Sequence, residues 1–217
     1  MIAFDIDGII MDTAELTLNK FNELYNTNLK IEDWNNYKFE KCFGYSKDMI
    51  LNAFRAAIED TIDNPPFAPG AVKALKFFKN EYSKNPLIIV TGREEKWAMI
   101  AKKQIEEAIG AEIILNHYDR SYKEKEKDKN YISTGKLKAL LNLGIDAFFE
   151  DDPRFWKHYI DNGITIYTFM RRYNRTDIGK IMLNDYDRRW ALKAYDNWDQ
   201  LLWYWNIFDR GKYEKII

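Results

Sequence analysis

Cysteine is nearly absent, with Cys42 alone among 217 residues. A single thiol makes no internal disulfide. With only His117 and His158 beside it, the chain has no thiol and imidazole cluster of the kind that builds a zinc site. An excess of charge is missing too. The 33 basic and 34 acidic residues leave a net charge of -1, so no single-sign field is available to hold a nucleic-acid backbone or an anionic membrane along a surface. Long apolar runs are also lacking, and Ile2-Ala3-Phe4 passes straight into Asp5 and Asp7 without the apolar stretch of a signal peptide. These absences lead us to expect a cytoplasmic protein in reducing surroundings, with no membrane partner and nothing in the charge balance that favours nucleic acid. Aromatic residues, by contrast, are plentiful. They make up 16% of the chain, more than a core requires, which leaves some to line a pocket.

The length suits one core domain carrying an insert. Short apolar runs at Ile2 to Phe4, Leu87 to Val90, Glu112 to Leu115, Ala147 to Phe149 and Ile164 to Phe169 read as strands. Helical periodicity lies between most of them, for example Trp97, Ile100, Ala101, Ile105 and Ala108 with Gly110 as the stop. Strand and helix in alternation predict an α/β fold, a parallel sheet covered on both faces in three layers. The stretch from Thr13 to Phe67 departs from this rhythm, being helix-like throughout and closing on Pro65-Pro66-Phe67-Ala68-Pro69-Gly70. It reads as a helical insert after the first strand, dividing the chain into a core at 1–12 and 68–217 and an insert at 13–67. From Trp190 onward a last strand and an aromatic helix are expected, packed on the sheet. The alternating charges between Tyr122 and Asn130 read as a solvated loop.

Carboxyl ends of parallel strands are where ligands bind, and three runs end in reactive residues. After the first come Asp5-Ile6-Asp7-Gly8, two acids that face the same way on an extended backbone. Like charges so placed need a cation between them or a proton on one. Asp-x-Asp-Gly alone arises by chance in roughly one chain in twenty-five of this length, so its neighbours have to strengthen it. After the second run, Thr91-Gly92-Arg93 offers a hydroxyl, free N–H groups and a guanidinium fork suited to an oxyanion; as a purely local feature, Thr91 is equally an N-cap and Gly92 a loop residue. After the fourth come Glu150-Asp151-Asp152, hard oxygen ligands that together with Asp5 and Asp7 suit Mg²⁺. Thr134 is a candidate N-cap that would put Lys136 in a first helical turn, where a cation implies a nearby anion; Lys138 is the competitor on a different face. Asp12 with Glu15 reads as a capping box for the first helix of the insert.

Taken together, Asp5-Ile6-Asp7-Gly8, Thr91 in Ile88-Ile89-Val90-Thr91-Gly92-Arg93, Lys136 and Glu150-Asp151 resemble, in order and context, the four motifs of the haloacid dehalogenase superfamily. The resemblance runs from residue 1 to about 170, and it implies a Rossmann-like core in which the insert is a small helical cap. It further implies that Asp5 is a nucleophile towards phosphorus and Asp7 a general acid and base. Asp5, Asp151 and the main-chain carbonyl of Asp7 would hold Mg²⁺, and Thr91, Lys136 and the Gly92 N–H would take up charge. Asp7 argues against a dehalogenase, whose leaving group needs no proton. Asp12, Leu143-Gly144-Ile145-Asp146 and Arg172-Tyr173-Asn174-Arg175 are most similar to the 5′-nucleotidase (deoxyribonucleotidase) branch, which implies a nucleoside monophosphate as the small phosphorylated substrate. A phosphatase for another ester, a phosphomutase and a non-catalytic metal-binding module are the alternatives. In the insert, Phe43 and Tyr45 are candidates to stack on a base, or else to pack between the insert and the core.

Overall fold

The computed structural model describes residues 1–117, 131–184 and 188–209, so the charged segment between Tyr122 and Asn130 lies outside it. After β1 (Ile2–Phe4) come three helices, α1 (Thr13–Tyr25), α2 (Phe39–Phe43) and α3 (Lys47–Asp60). Strand and helix then alternate: α4 (Ala71–Glu81), β2 (Leu87–Thr91), α5 (Glu95–Ile109), β3 (Ile113–His117), α6 (Tyr131–Asn142), β4 (Ala147–Phe149), α7 (Pro153–Asp161), β5 (Thr165–Phe169), α8 (Arg175–Asn184), β6 (Leu192–Tyr195) and α9 (Trp198–Tyr204). A π-turn, Trp205–Asp209, continues the last helix. The six strands form one parallel sheet in the order β3-β2-β1-β4-β5-β6, the doubly wound order of a Rossmann-like fold, with its topological switch beside β1. β3 runs two residues beyond the predicted Leu115 because β2 carries the pairing on, opposite Thr91, to His117.

Period-two alternation assigns every strand residue to a face. Phe4, Ile89, Phe149, Tyr167 and Phe169 meet α4, α5 and α9 in one buried cluster, through Leu75, Phe78, Ile105 and Leu201. Ala3, Ile88, Val90, Phe148 and Ile166 point the other way, onto Leu140 of α6, Trp156 of α7 and Ile178 of α8. This is the three-layer α/β arrangement. Burying each large side chain stabilises by roughly 1.5–3 kcal/mol, and a buried indole also needs a partner for its N–H. Trp198 donates to the Ile9 carbonyl at 3.1 Å and Trp156 to that of Glu150 at 3.1 Å. Core packing therefore fixes the backbone of the two loops that carry the acids.

The helices between β1 and β2 have a core of their own, in which Leu18, Phe21, Phe39 and Ala53 are buried. The two strands of chain that join them to the sheet run side by side, Asp12 N–H to Pro66 O at 2.8 Å and Ala68 N–H to Ile10 O at 2.9 Å. Two local expectations are corrected. Asp12 stands at the N-cap position of α1 but its side chain makes no capping hydrogen bond; its carboxylate faces the Arg171 guanidinium at 3.7 Å instead. Thr134 does not start α6, which begins at Tyr131, so Lys136 lies in the second turn and the helix dipole is not what places it. Among the described residues no helix is long and apolar enough to cross a membrane.

Candidate active site

The loops that leave β1, β2, β4 and β5 converge at the carboxyl edge of the sheet. Directly after β1 the chain tightens into a single turn, with Ile10 N–H and Met11 N–H both donating to the Ile6 carbonyl, at 2.9 and 2.8 Å. Gly8, inside that turn, has φ 72°. A Cβ added there would lie 2.1 Å from Asp151 Oδ2, so both the backbone conformation and the close approach to the β4 loop demand glycine.

Asp5, Glu150 and Asp151 are buried together, each offering a carboxylate oxygen within 4.8 Å of the others. Lys136 enters this group from α6, its Nζ donating to Asp5 Oδ2 and to Glu150 Oε2, both at 2.8 Å, whereas Lys138 is exposed. Burial works to lower the Lys136 pKa, but Asp5 and Glu150 outweigh it and push it up, so we take Lys136 as an ammonium. The second Glu150 oxygen accepts from Asp152 N–H at 3.1 Å. Asp5 Oδ1 is different: buried, it has no hydrogen-bond partner among the described residues. An orphaned carboxylate oxygen beside two further carboxylates is a donor set that fits Mg²⁺, a hard cation taking oxygen ligands. Burial and then the Asp5 charge push the Asp151 carboxyl up to about 8, against a hydrogen bond from Tyr173 that lowers it. The excess of negative charge that a metal would relieve is thus built into the fold. Asp152 is spoken for elsewhere, capping α7 through Arg154 N–H at 3.1 Å and gripped by the Arg154 side chain.

The Asp7 carboxylate stands apart from the acid group. Arg93 binds it through two nitrogens, Nε to Oδ2 at 3.0 Å and Nη2 to Oδ1 at 2.7 Å, while Thr13 donates to Oδ1 at 3.0 Å. The side chain of Asp7 is therefore bound away from the acid group. Arg93, expected to meet an oxyanion directly, is buried with its fork turned onto Asp7. Thr91 is fully buried as the last residue of β2, its Oγ1 accepting from Arg93 N–H at 3.3 Å. The N-cap of α5 is Glu94.

Above the acids lies a cavity of about 430 Å³ between the sheet edge and the helical insert. Asp7, Gly8, Gly92, Arg93 and Asp151 line it from the core, and Trp34, Tyr37, Lys38, Lys47, Phe54 and Arg55 from the insert. The two loop aromatics expected to meet a substrate do not reach it. Phe43 packs on Phe39, ring centroids 4.7 Å apart, and Tyr45 meets Phe21 edge-on at 5.0 Å. Both pack against the insert's own core, on the rings of Phe39 and Phe21. Trp34 and Tyr37 take the wall position instead. From the core, Tyr173 and Arg154 complete that wall, and neither was singled out as a site residue. Tyr173 follows the carboxyl end of β5 and lies in the Arg172-Tyr173-Asn174-Arg175 segment that carried part of the family resemblance.

A family model for haloacid dehalogenase-like hydrolases matches residues 2–109, a span that holds Asp5, Asp7 and Thr91. The chain belongs to the haloacid dehalogenase-like superfamily. No curated protein matches its sequence. A haloacid dehalogenase-like hydrolase from Streptococcus pneumoniae superposes with TM-score 0.62 at 18% identity, over 94% of this chain and 97% of that one. A superfamily hydrolase from Deinococcus radiodurans, crystallised with bound phosphate and sodium, gives 0.60 at 13%, over 97% and 95%. A β-phosphoglucomutase from Clostridium difficile gives 0.54 at 14%, over 98% and 97%. At these identities the likeness is one of fold, and it spans both the superfamily core and the helical insert of this chain.

Proposed function

We propose that this superfamily member is a Mg²⁺-dependent phosphomonoesterase with Asp5 as nucleophile, acting in the cytoplasm on a small phosphate ester. The observation that carries this is Asp5 itself, one oxygen held by Lys136 and the other orphaned beside Asp151. A carboxylate so fixed has one oxygen tethered and cannot rotate away from an incoming phosphoryl group. An Asp5 oxygen attacks phosphorus, the bond from phosphorus to the ester oxygen breaks, and Asp7 gives that oxygen its proton. To do so, the Asp7 carboxyl turns from the Arg93 fork towards the cavity it lines. Water then attacks the acyl phosphate and loses its proton to Asp7, releasing phosphate and restoring Asp5. Lys136 and Thr91, with the Gly92 N–H, stabilise charge on the transferring group. Held by Asp5, Asp151 and the Asp7 carbonyl, Mg²⁺ would offset the negative charge of nucleophile and phosphate.

For the substrate we propose a nucleoside monophosphate, with the insert, 13–67, as the cap over it. Supporting this are the volume of the cavity and its aromatic faces, Trp34, Tyr37, Phe54 and Tyr173, on which a base can stack. Phosphate release from a panel of nucleotides and sugar phosphates, with and without Mg²⁺, tests both levels. Nucleotide turnover that depends on Mg²⁺ supports the full reading, and turnover of sugar phosphates alone removes the nucleotide assignment. An isomeric product with no free phosphate would make the protein a phosphomutase.

A further inference from the structure

We infer that Tyr173 is a positioning residue that ties the seating of the helical insert to the acid group, so that Trp34 and Tyr37 set how firmly the site holds Mg²⁺. The inference rests on the phosphatase reading in one respect, that Asp151 is a metal ligand.

Tyr173 sits in the turn between β5 and α8, buried, and that turn is braced. Asn174 donates to the Phe169 carbonyl at 3.0 Å and accepts from Arg171 N–H at 2.9 Å. From this platform the Tyr173 hydroxyl donates to Asp151 Oδ2 at 2.8 Å. Asp151 has little room to move away, because Gly8 presses on the same oxygen so closely that not even a Cβ would fit between them. A hydroxyl donor on a ligating carboxylate fixes its orientation.

The other side of the Tyr173 ring belongs to the insert. Trp34 packs on it with centroids 5.8 Å apart and planes at 44°, and Tyr37 meets it edge-on at 5.8 Å. Trp34 is carried by the insert's own core, through an edge contact with Phe39 at 5.2 Å. A displacement of the insert therefore takes these rings with it. A second contact reaches the same place, since Arg154, paired with Asp152, lies 4.7 Å from the Tyr37 ring centroid. Thus Tyr37 touches two side chains of the core, one bonded to Asp151 and the other to Asp152. When the rings leave, the braced turn still carries Tyr173, but its ring loses the two faces that fix its orientation and its hydroxyl gains freedom to leave the carboxylate for water. By reciprocity, whatever the seated insert adds to metal affinity, bound metal adds to seating.

The test is a mutant cycle read by calorimetric titration of the whole protein with Mg²⁺, without substrate. Tyr173→Phe keeps the ring and loses the hydroxyl, and is expected to weaken Mg²⁺ binding about tenfold. Trp34→Ala with Tyr37→Ala is expected to weaken it severalfold, and to add nothing in the Tyr173→Phe background. Thermal unfolding in chelator checks that each variant is folded; if the double alanine variant is not, Trp34→Leu takes its place. Unchanged affinity in the insert variant, or losses that simply add, overturn the inference. Absence of Mg²⁺ binding in the unmodified protein overturns the reading of the site itself, and the inference with it.

Discussion

The two walls of the cavity are built on opposite principles. On the sheet side, Asp151 lines the cavity and Asp5, Lys136 and Glu150 lie buried in the same acid group, bound to one another or to the turns beside them. Their positions are set by strands and by indoles that fix the adjoining backbone. On the insert side, Lys38, Lys47 and Arg55 are exposed and Trp34 and Tyr37 are half-buried on a loop. Preorganised charge away from water is what a transferring phosphoryl group needs, and it has to be identical for every ester. In the proposed phosphatase, discrimination between esters would fall to the insert wall, the side of the cavity away from the acids. On that reading one cavity would have a buried, ion-paired half for chemistry and a more exposed half for choice.

Substitutions that separate the halves test this division. Asp5→Asn keeps the shape and removes the nucleophile, and should lower turnover of every substrate by about a thousandfold or more while leaving the fold intact; steady-state rates and circular dichroism check both parts. Lys136→Met strands two buried carboxylates and should cost about 3–5 kcal/mol in chemical denaturation, against at most about 0.5 kcal/mol for Lys138→Ala on the exposed face. Asp151 binds its proton more tightly in the folded protein, its pKa going from 3.8 to about 8. The stability this contributes is full below about pH 4 and lost as pH rises through about 8. In chelator, the melting temperature should fall between pH 5 and 8.5, and Asp151→Asn should flatten that fall. On the insert wall, Tyr37→Ala at saturating Mg²⁺ should raise KM for a nucleotide about tenfold, within the 1–3 kcal/mol of base stacking, and leave glycerol phosphate unaffected. Phe43→Ala should not change the ratio between the two substrates.

Legibility in the sequence follows the same line. The sheet is readable because its strands are short apolar runs bounded by polar or turn residues, which are local signals. Asp5, Thr91 and Asp151 stand at strand ends for the same reason. The helix-dipole argument for Lys136 fails, because α6 starts before Thr134; what places the lysine is the pair of carboxylates brought to it by β1 and β4. The insert wall was misread because its pattern does not say which rings a small core will consume. Phe43 and Tyr45 went inward and Trp34 and Tyr37 faced the cavity, a choice made by three-dimensional packing. Tyr173 and Arg154 meet the insert across most of the chain's length, and no periodicity records that contact.

The phosphatase reading stands or falls on attack of Asp5 on phosphorus. Rapid acid quench of the protein with a substrate carrying labelled phosphate, followed by peptide mapping, tests it directly. One hydroxylamine-labile label is expected on the peptide that contains Asp5, and none in Asp5→Asn. Steady release of phosphate with that peptide unlabelled, or activity retained by Asp5→Asn, would contradict it.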